Sequence, residues 1–122
     1  MALTRDQLAA AARTDRAWIN GLVEFGLLPD GEPVGGADLL VARASAELAQ
    51  FGVEPRHLRA VAASAARVAE LVTAATAASA NANRDSTRRE RSALAAPGRS
   101  AEAAAAAVRL HAALVRASLL PD

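Results

Sequence analysis

The side chains best suited to binding a ligand lie at the start of one short amphipathic stretch. Arg13 and Arg16 flank a turn, and Asn20 follows one helical turn later. Guanidinium and amide groups contact the phosphates and base edges of DNA, and an Arg near a helix N-terminus is well placed to meet a phosphate. These residues therefore predict DNA contact by Arg13, Arg16 and Asn20, with a solvated turn as the alternative interpretation.

The remaining polar residues give little support for catalysis or metal binding. The chain has no Cys, and His57 and His111 lie far apart in sequence. Asp and Glu are scattered, and no nucleophile and base are arranged together. We predict no catalytic residues, no metal site and no cofactor, and we do not expect an enzyme.

The candidate donors must be positioned by a helix-turn-helix unit. A hydroxyl at Thr4 and an amide at Gln7 have the capping-box spacing, so a first helix should cover residues 5–12. Residues 14–28 carry apolar side chains at helical spacing and predict a second helix after a tight turn. The predicted core residues are Trp18, Ile19, Leu22 and Phe25, joined by Leu48 and Phe51 of a third helix.

The rest of the chain predicts a loop and further helices. Residues 29–36 are dense in Gly and Pro and predict a plain loop or a stunted hairpin. A third helix should begin at Asp38 and end at Gly52. Residues 56–80 contain no helix breaker and predict one long helix. A last helix should cover residues 100–119 and form a helical hairpin or a coiled coil with the long helix. The predicted dimerisation residues are Val61, Ala65, Val68, Val72, Ala75, Leu110 and Leu114.

The predicted organisation has four segments. Residues 1–54 form a winged-helix-like domain, residues 55–80 a long dimerisation helix, residues 81–99 a flexible Arg-rich connection, and residues 100–120 a C-terminal helix. With 122 residues, of which only 2% are aromatic, the chain can build only a thin core. Because a small domain exposes proportionally more surface, we expect a partner chain to supply the missing burial and predict a homodimer.

Charge is distributed unevenly along the chain. Residues 1–54 carry four Arg against eight Asp and Glu, a net charge of −4, whereas the remainder carries ten Arg against five acids, a net charge of +5. The chain contains Arg but no Lys, and Ala is abundant. This composition suggests a high-G+C bacterial source. No apolar run is expected to reach the roughly 20 residues of a membrane span. We therefore predict a cytoplasmic protein with no membrane partner.

Two phrases resemble the MerR family of bacterial transcription regulators. They are FGLL at residues 25–28 and LAQFGVEPRHLRAV at residues 48–61. The resemblance implies an all-α fold with a winged helix-turn-helix followed by a dimerisation helix. The phrase VRLHAALVRASLL at residues 108–120 is similar to the second half of actinobacterial regulators of the FtsR type. The family's recognition helix carries an Arg and then an Arg-Tyr-Tyr run, whereas the matching positions here are Ala17, Asn20, Gly21 and Leu22. The resemblance therefore implies a degenerate DNA-recognition helix.

These observations favour a regulatory and dimerisation module of a MerR-like regulator that acts through protein contacts with weakened or absent DNA readout. Its partners would be a second copy of itself, another regulatory protein, and promoter DNA reached through this or a separate domain. A domain that reads promoter DNA with its own helix-turn-helix is one alternative. A small-molecule effector domain is another, although so few aromatic residues leave little with which to build a pocket for a flat ligand.

Overall fold

A computed structural model describes residues 2–82 and 98–120, with side chains described for residues 2–77 and 98–120. Apart from one isolated bridge, the regular secondary structure of these residues is helical, so the predicted all-α fold is confirmed. The chain divides into two compact units, Met1–Ser64 and Ala65–Asp122. The elements are α1 (Arg5–Ala11), α2 (Arg16–Glu24), α3 (Gly36–Ala49), a 3-10 turn (Pro55–Leu58), α4 (Arg59–Ala82) and α5 (Gly98–Leu119).

Local side-chain caps fix the ends of α1 and α2. The Oγ1 of Thr4 accepts a hydrogen bond from the Gln7 backbone at 3.1 Å, and the Oε1 of Gln7 accepts one from the Thr4 backbone at 2.9 Å, as the capping box predicts. Asp15 caps α2, because its Oδ1 accepts from the Trp18 backbone at 2.8 Å. Gly26 follows α2 with a φ of 86°, a left-handed conformation that costs glycine little.

The core of the first unit lies among α1, α2, α3 and the segment after α2. The largest fully buried side chains are Leu8, Ile19 and Leu22, and Trp18 is half-buried against this cluster. The segment between α2 and α3 is a loop, and its only ladder contact is an antiparallel bridge in which Leu3 and Val34 exchange two backbone hydrogen bonds of 2.9 Å. The other buried apolar residues of the cluster are Ala9, Ala12, Leu28, Val34, Leu39 and Ala42.

Two residues predicted to lie in the core are instead exposed. Leu48 is 42% exposed and Phe51 is 81% exposed. Helix α3 begins at Gly36, two residues before the predicted start, and turns a face containing Leu39 and Ser45 toward the core. Because α3 ends at Ala49, Phe51 lies beyond the helix, and Leu48 lies in its last turn, beside the buried face of Leu39, Ala42 and Ser45.

A buried hydrogen bond connects α2 to α3. The Trp18 Nε1 donates to the Oγ of Ser45 at 3.0 Å, and that buried hydroxyl donates in turn to the Ala42 carbonyl at 2.9 Å. The bond explains why a polar residue occupies the core face of α3, because the indole N–H needs an acceptor.

We expect Ser45→Ala to lower the free energy of unfolding by about 1–2 kcal/mol, since it leaves the Trp18 N–H without its acceptor. Urea unfolding followed by Trp fluorescence measures the loss. Ser118→Ala is the matched control, because that exposed hydroxyl bonds only to its own helix, at the Leu114 carbonyl. Equal stabilities for the two variants would contradict a structural role for the Trp18–Ser45 bond.

The helices of the second half carry exposed apolar residues. Of the predicted dimerisation residues, Val68 and Val72 are half-buried, whereas Ala65 and Ala75 are exposed. The others, Val61, Leu110 and Leu114, are also exposed. The predicted connection between α4 and α5 falls mostly on residues 83–97, which lie outside the described residues.

One segment passes a membrane-span test by length and composition alone, contrary to the expectation from the sequence. It covers Pro55–Ala77, 23 residues, and the 18-residue window that gives it its apolar character contains no buried residue. Ala and Val supply its apolar character, but Arg67 and Glu70 lie within it, and a charged residue near the centre of a span costs about 3 kcal/mol. A single such segment is weak evidence for a span.

Candidate functional site

The candidate site is the outer side of α1 and α2, where the predicted DNA-contact residues lie. Arg16 and Asn20 are one turn apart on α2 and share a face. The Arg16 Nη1 lies 2.8 Å from the Oδ1 of Asp6, which belongs to α1. A side-chain hydrogen bond with Asp6 raises the pKa of Arg16, with smaller contributions from the charges of Asp6 and Glu32, while desolvation opposes the shift. Arg16 is therefore a cation that already has a partner.

Asn20 is held by a second contact from α1. The Arg5 Nη1 donates to the Oδ1 of Asn20 at 3.1 Å, and its Nη2 lies 2.9 Å from the Oδ1 of Asp30. The backbone N–H of Arg5 also donates to the Oε1 of Glu32 at 2.7 Å. The Arg5 side chain is only 18% exposed. Arg5 thus clamps the start of α1 to α2 and to the loop that follows it, a role that the sequence analysis missed.

Arg13 lies apart from the other two candidate donors. It occupies the turn between α1 and α2 with a φ of 59°, a left-handed conformation that is uncommon outside glycine. It borders an open cleft of about 400 Å³ between the end of α1 and α3, along with Arg43, Glu47 and Gln50. The structure therefore brings Arg16 and Asn20 together on one face and places Arg13 at a different cleft.

A second open groove, of about 390 Å³, lies between α2 and the 3-10 turn. Trp18, Phe25 and Pro55 contribute apolar surface to it, and Gly21 allows the close approach, because an added Cβ would lie 3.2 Å from the Pro55 Cγ. Phe25, predicted as a core residue, is half-buried beside this groove, and the Arg59 guanidinium lies 5.0 Å from its ring centroid. This is cation–π geometry, and it joins the end of α2 to the start of α4.

The other polar residues near these grooves make local contacts. The Nδ1 of His57 accepts a hydrogen bond from the Glu54 backbone at 2.9 Å, which caps the 3-10 turn, and Arg56 pairs with Glu54 at 2.8 Å. Within residues 2–82 and 98–120 no group of three or more His, Asp or Glu is placed to hold a metal ion.

The structure is that of an all-α domain in which two short helices, joined by a tight turn, pack on a third and are followed by long helices. The chain belongs to the family described as Rv1828-like, C-terminal domain, which matches residues 1–121. This is a domain of a MerR-like regulator family, which fits the resemblance found in the sequence. No curated protein matches the chain.

Proposed function

We propose that this chain is the regulatory and dimerisation module of a MerR-like bacterial transcription regulator, and that it acts in the cytoplasm through protein contacts. In this proposal α1, α2 and α3 correspond to a winged helix-turn-helix that has lost most of its DNA readout, as in the second half of FtsR-type actinobacterial regulators. The observation that carries the proposal is that, on the outer face of α2, the Arg16 guanidinium already donates to Asp6 and the Asn20 Oδ1 already accepts from Arg5.

Charge supports the loss of DNA readout. The first 54 residues carry a net charge of −4. Binding to DNA depends on neutralising its phosphates, so an acidic surface is repelled by the duplex. A phosphate approaching Arg16 would also meet the carboxylate of Asp6, whose Oδ1 lies 2.8 Å from the Arg16 Nη1 and offsets its charge.

Exposed apolar side chains on α4 and α5 support dimerisation. Without a partner chain, the side chains of Val61, Leu110 and Leu114 remain exposed to water. Val61 begins a line of residues on α4 that are spaced alternately by four and three, and Leu110 and Leu114 are four residues apart on α5. Both spacings are typical of paired helices. We propose that a second copy covers the α4 seam of Val61, Ala65, Val68, Val72 and Ala75 together with Leu110 and Leu114 of α5.

Two measurements test the proposal. Light scattering coupled to size-exclusion chromatography should give the mass of a dimer at tens of micromolar protein, and a monomer would contradict the dimerisation role. Fluorescence anisotropy with a labelled promoter fragment should show only weak binding that does not depend on sequence at physiological salt. Tight binding with a steep salt dependence would instead favour a domain that reads DNA directly.

Removing the acid that holds Arg16 should partly restore DNA binding. We expect Asp6→Asn to bind DNA more tightly than the parent chain and to steepen the salt dependence of log K by about 1, because one more phosphate contact becomes possible. Glu102→Gln on α5 is the control, since it removes the same charge elsewhere. Equal gains for both variants would mean that net charge alone, rather than release of Arg16, governs binding.

A further inference from the structure

Helix α3 is apolar on the side that faces away from the core as well as on the core side. Its core face contains Leu39, Ala42 and Ser45. A second line, which we call the outer stripe, comprises Leu40, Ala44 and Leu48 on α3 and Phe51 two residues beyond its end, spaced by four, four and three residues. Leu40 is 67% exposed and Phe51 81% exposed, which makes Phe51 the most exposed large apolar residue in the described part of the chain. An apolar line of this kind on a surface helix marks an interaction site.

Charged residues flank the outer stripe on one side, and they have opposite signs. Arg43 and Glu47 are one helical turn apart and lie on the same flank. Within the described residues neither forms an ion pair. The Arg43 Nε reaches the Ala11 carbonyl only at 3.5 Å. A flank with one cation and one anion in this order is complementary to itself when it meets a copy running in the opposite direction.

We propose that α3 pairs antiparallel with α3 of a second copy, about a two-fold axis at Ala44. The inference rests on the proposed homodimer and adds a contact surface to it. Counting from Ala44, Leu40 comes opposite Leu48 of the partner subunit, and the small Ala44 side chains meet at the axis and let the helices approach closely. Arg43 then lies within about 3 Å, along the axis, of the level of the partner's Glu47, because each residue adds about 1.5 Å.

A second copy fits this surface better than DNA does. An isologous interface brings each residue to its counterpart twice, so the Arg43–Glu47 match occurs on both sides of the axis. The stripe itself offers no donor to a phosphate, and it lies on a unit whose first 54 residues are net acidic. If the flanking residues all had the same charge, they would favour a partner of the opposite charge. Because Arg43 and Glu47 have opposite charges, they favour a second copy of the chain.

A single cysteine tests the pairing directly, because the chain contains no Cys. Residues at a two-fold axis come close enough for a disulfide, which needs Cα atoms about 4.4–6.8 Å apart. We expect Ala44→Cys to form a covalent dimer under mild oxidation, seen on a non-reducing gel, with at least tenfold more cross-linked product than Ala49→Cys. Ala49 is the control because it is exposed on the same helix but lies away from the outer stripe.

Charge reversal provides a second test that keeps the apolar stripe intact. Arg43→Glu should weaken dimerisation by about tenfold in Kd, since it sets acid against acid on both sides of the axis. Adding Glu47→Arg should restore the parent value. A monomeric parent chain would overturn both the inference and the proposed dimer. A dimeric parent in which Ala44→Cys cross-links no better than Ala49→Cys would overturn only the α3 pairing.

Discussion

Replacing Leu22 by Ala lowers the free energy of unfolding by about 3 kcal/mol, because it opens a cavity that its neighbours can fill only in part. Leu22 has no exposed surface and lies in the same cluster as Leu8 and Ile19. Small domains have a total stability of about 5–15 kcal/mol, so the loss is a large fraction of the whole. Urea unfolding followed by the fluorescence of Trp18, the only Trp in the chain, measures it.

Leu120→Ala makes the same chemical change at an exposed position and provides the control. Its effect should stay within about 0.5 kcal/mol, as for most surface substitutions. A loss for Leu22→Ala no larger than the loss for Leu120→Ala would mean that α2 does not supply the core of the first unit. The assignment of the candidate site would then fail too, because α2 positions Arg16 and Asn20.

The helix ends could be predicted where a few neighbouring residues determine them. The capping box of Thr4 and Gln7 is a local arrangement of residues three apart, and it was found as expected. The left-handed Gly26 directly after α2 is equally local. The cap of α2 at Asp15 is likewise a local arrangement, because it bonds the backbone of Trp18 three residues on. Such features need no knowledge of the rest of the fold.

The buried face of α3 could not be predicted in the same way. Two apolar lines share this helix, one through Leu39 and Ala42 and one through Leu40 and Leu48. Both have helical spacing, and periodicity alone cannot decide between two apolar faces of one helix. The choice depends on which side meets α1, a tertiary contact that the local pattern does not contain.

The candidate site was predictable in its donors but not in their partners. Arg16 and Asn20 follow from residue type and from their place on an amphipathic helix. Their partners Asp6 and Arg5 lie 10 and 15 residues earlier, in another helix, and the loop residue Asp30 completes the contact. The negative charge of the first 54 residues could be counted from the sequence alone, because charge counts need no knowledge of geometry.

Replacing Val68 by Asp should convert the proposed dimer to a monomer. Val68 is half-buried in the single chain and lies in the middle of the α4 seam, so pairing of the seam would remove its side chain from water. An unpaired carboxylate buried in an interface costs about 3–5 kcal/mol, which raises Kd by at least two orders of magnitude. Light scattering across a protein dilution series measures the shift.

Ala66→Asp is the matched control for this variant. Ala66 is exposed on the same helix and lies outside the seam, so Ala66→Asp adds the same charge to α4 without entering the seam. Because Ala→Asp lowers helix propensity more than Val→Asp does, a dimeric Ala66→Asp would show that lost helix propensity does not explain a monomeric Val68→Asp. We expect Ala66→Asp to remain dimeric. A dimeric Val68→Asp would exclude the α4 seam from the interface. If Ala44→Cys still cross-linked, the dimer would then depend on the outer stripe of α3, because that stripe and the seam lie on different helices.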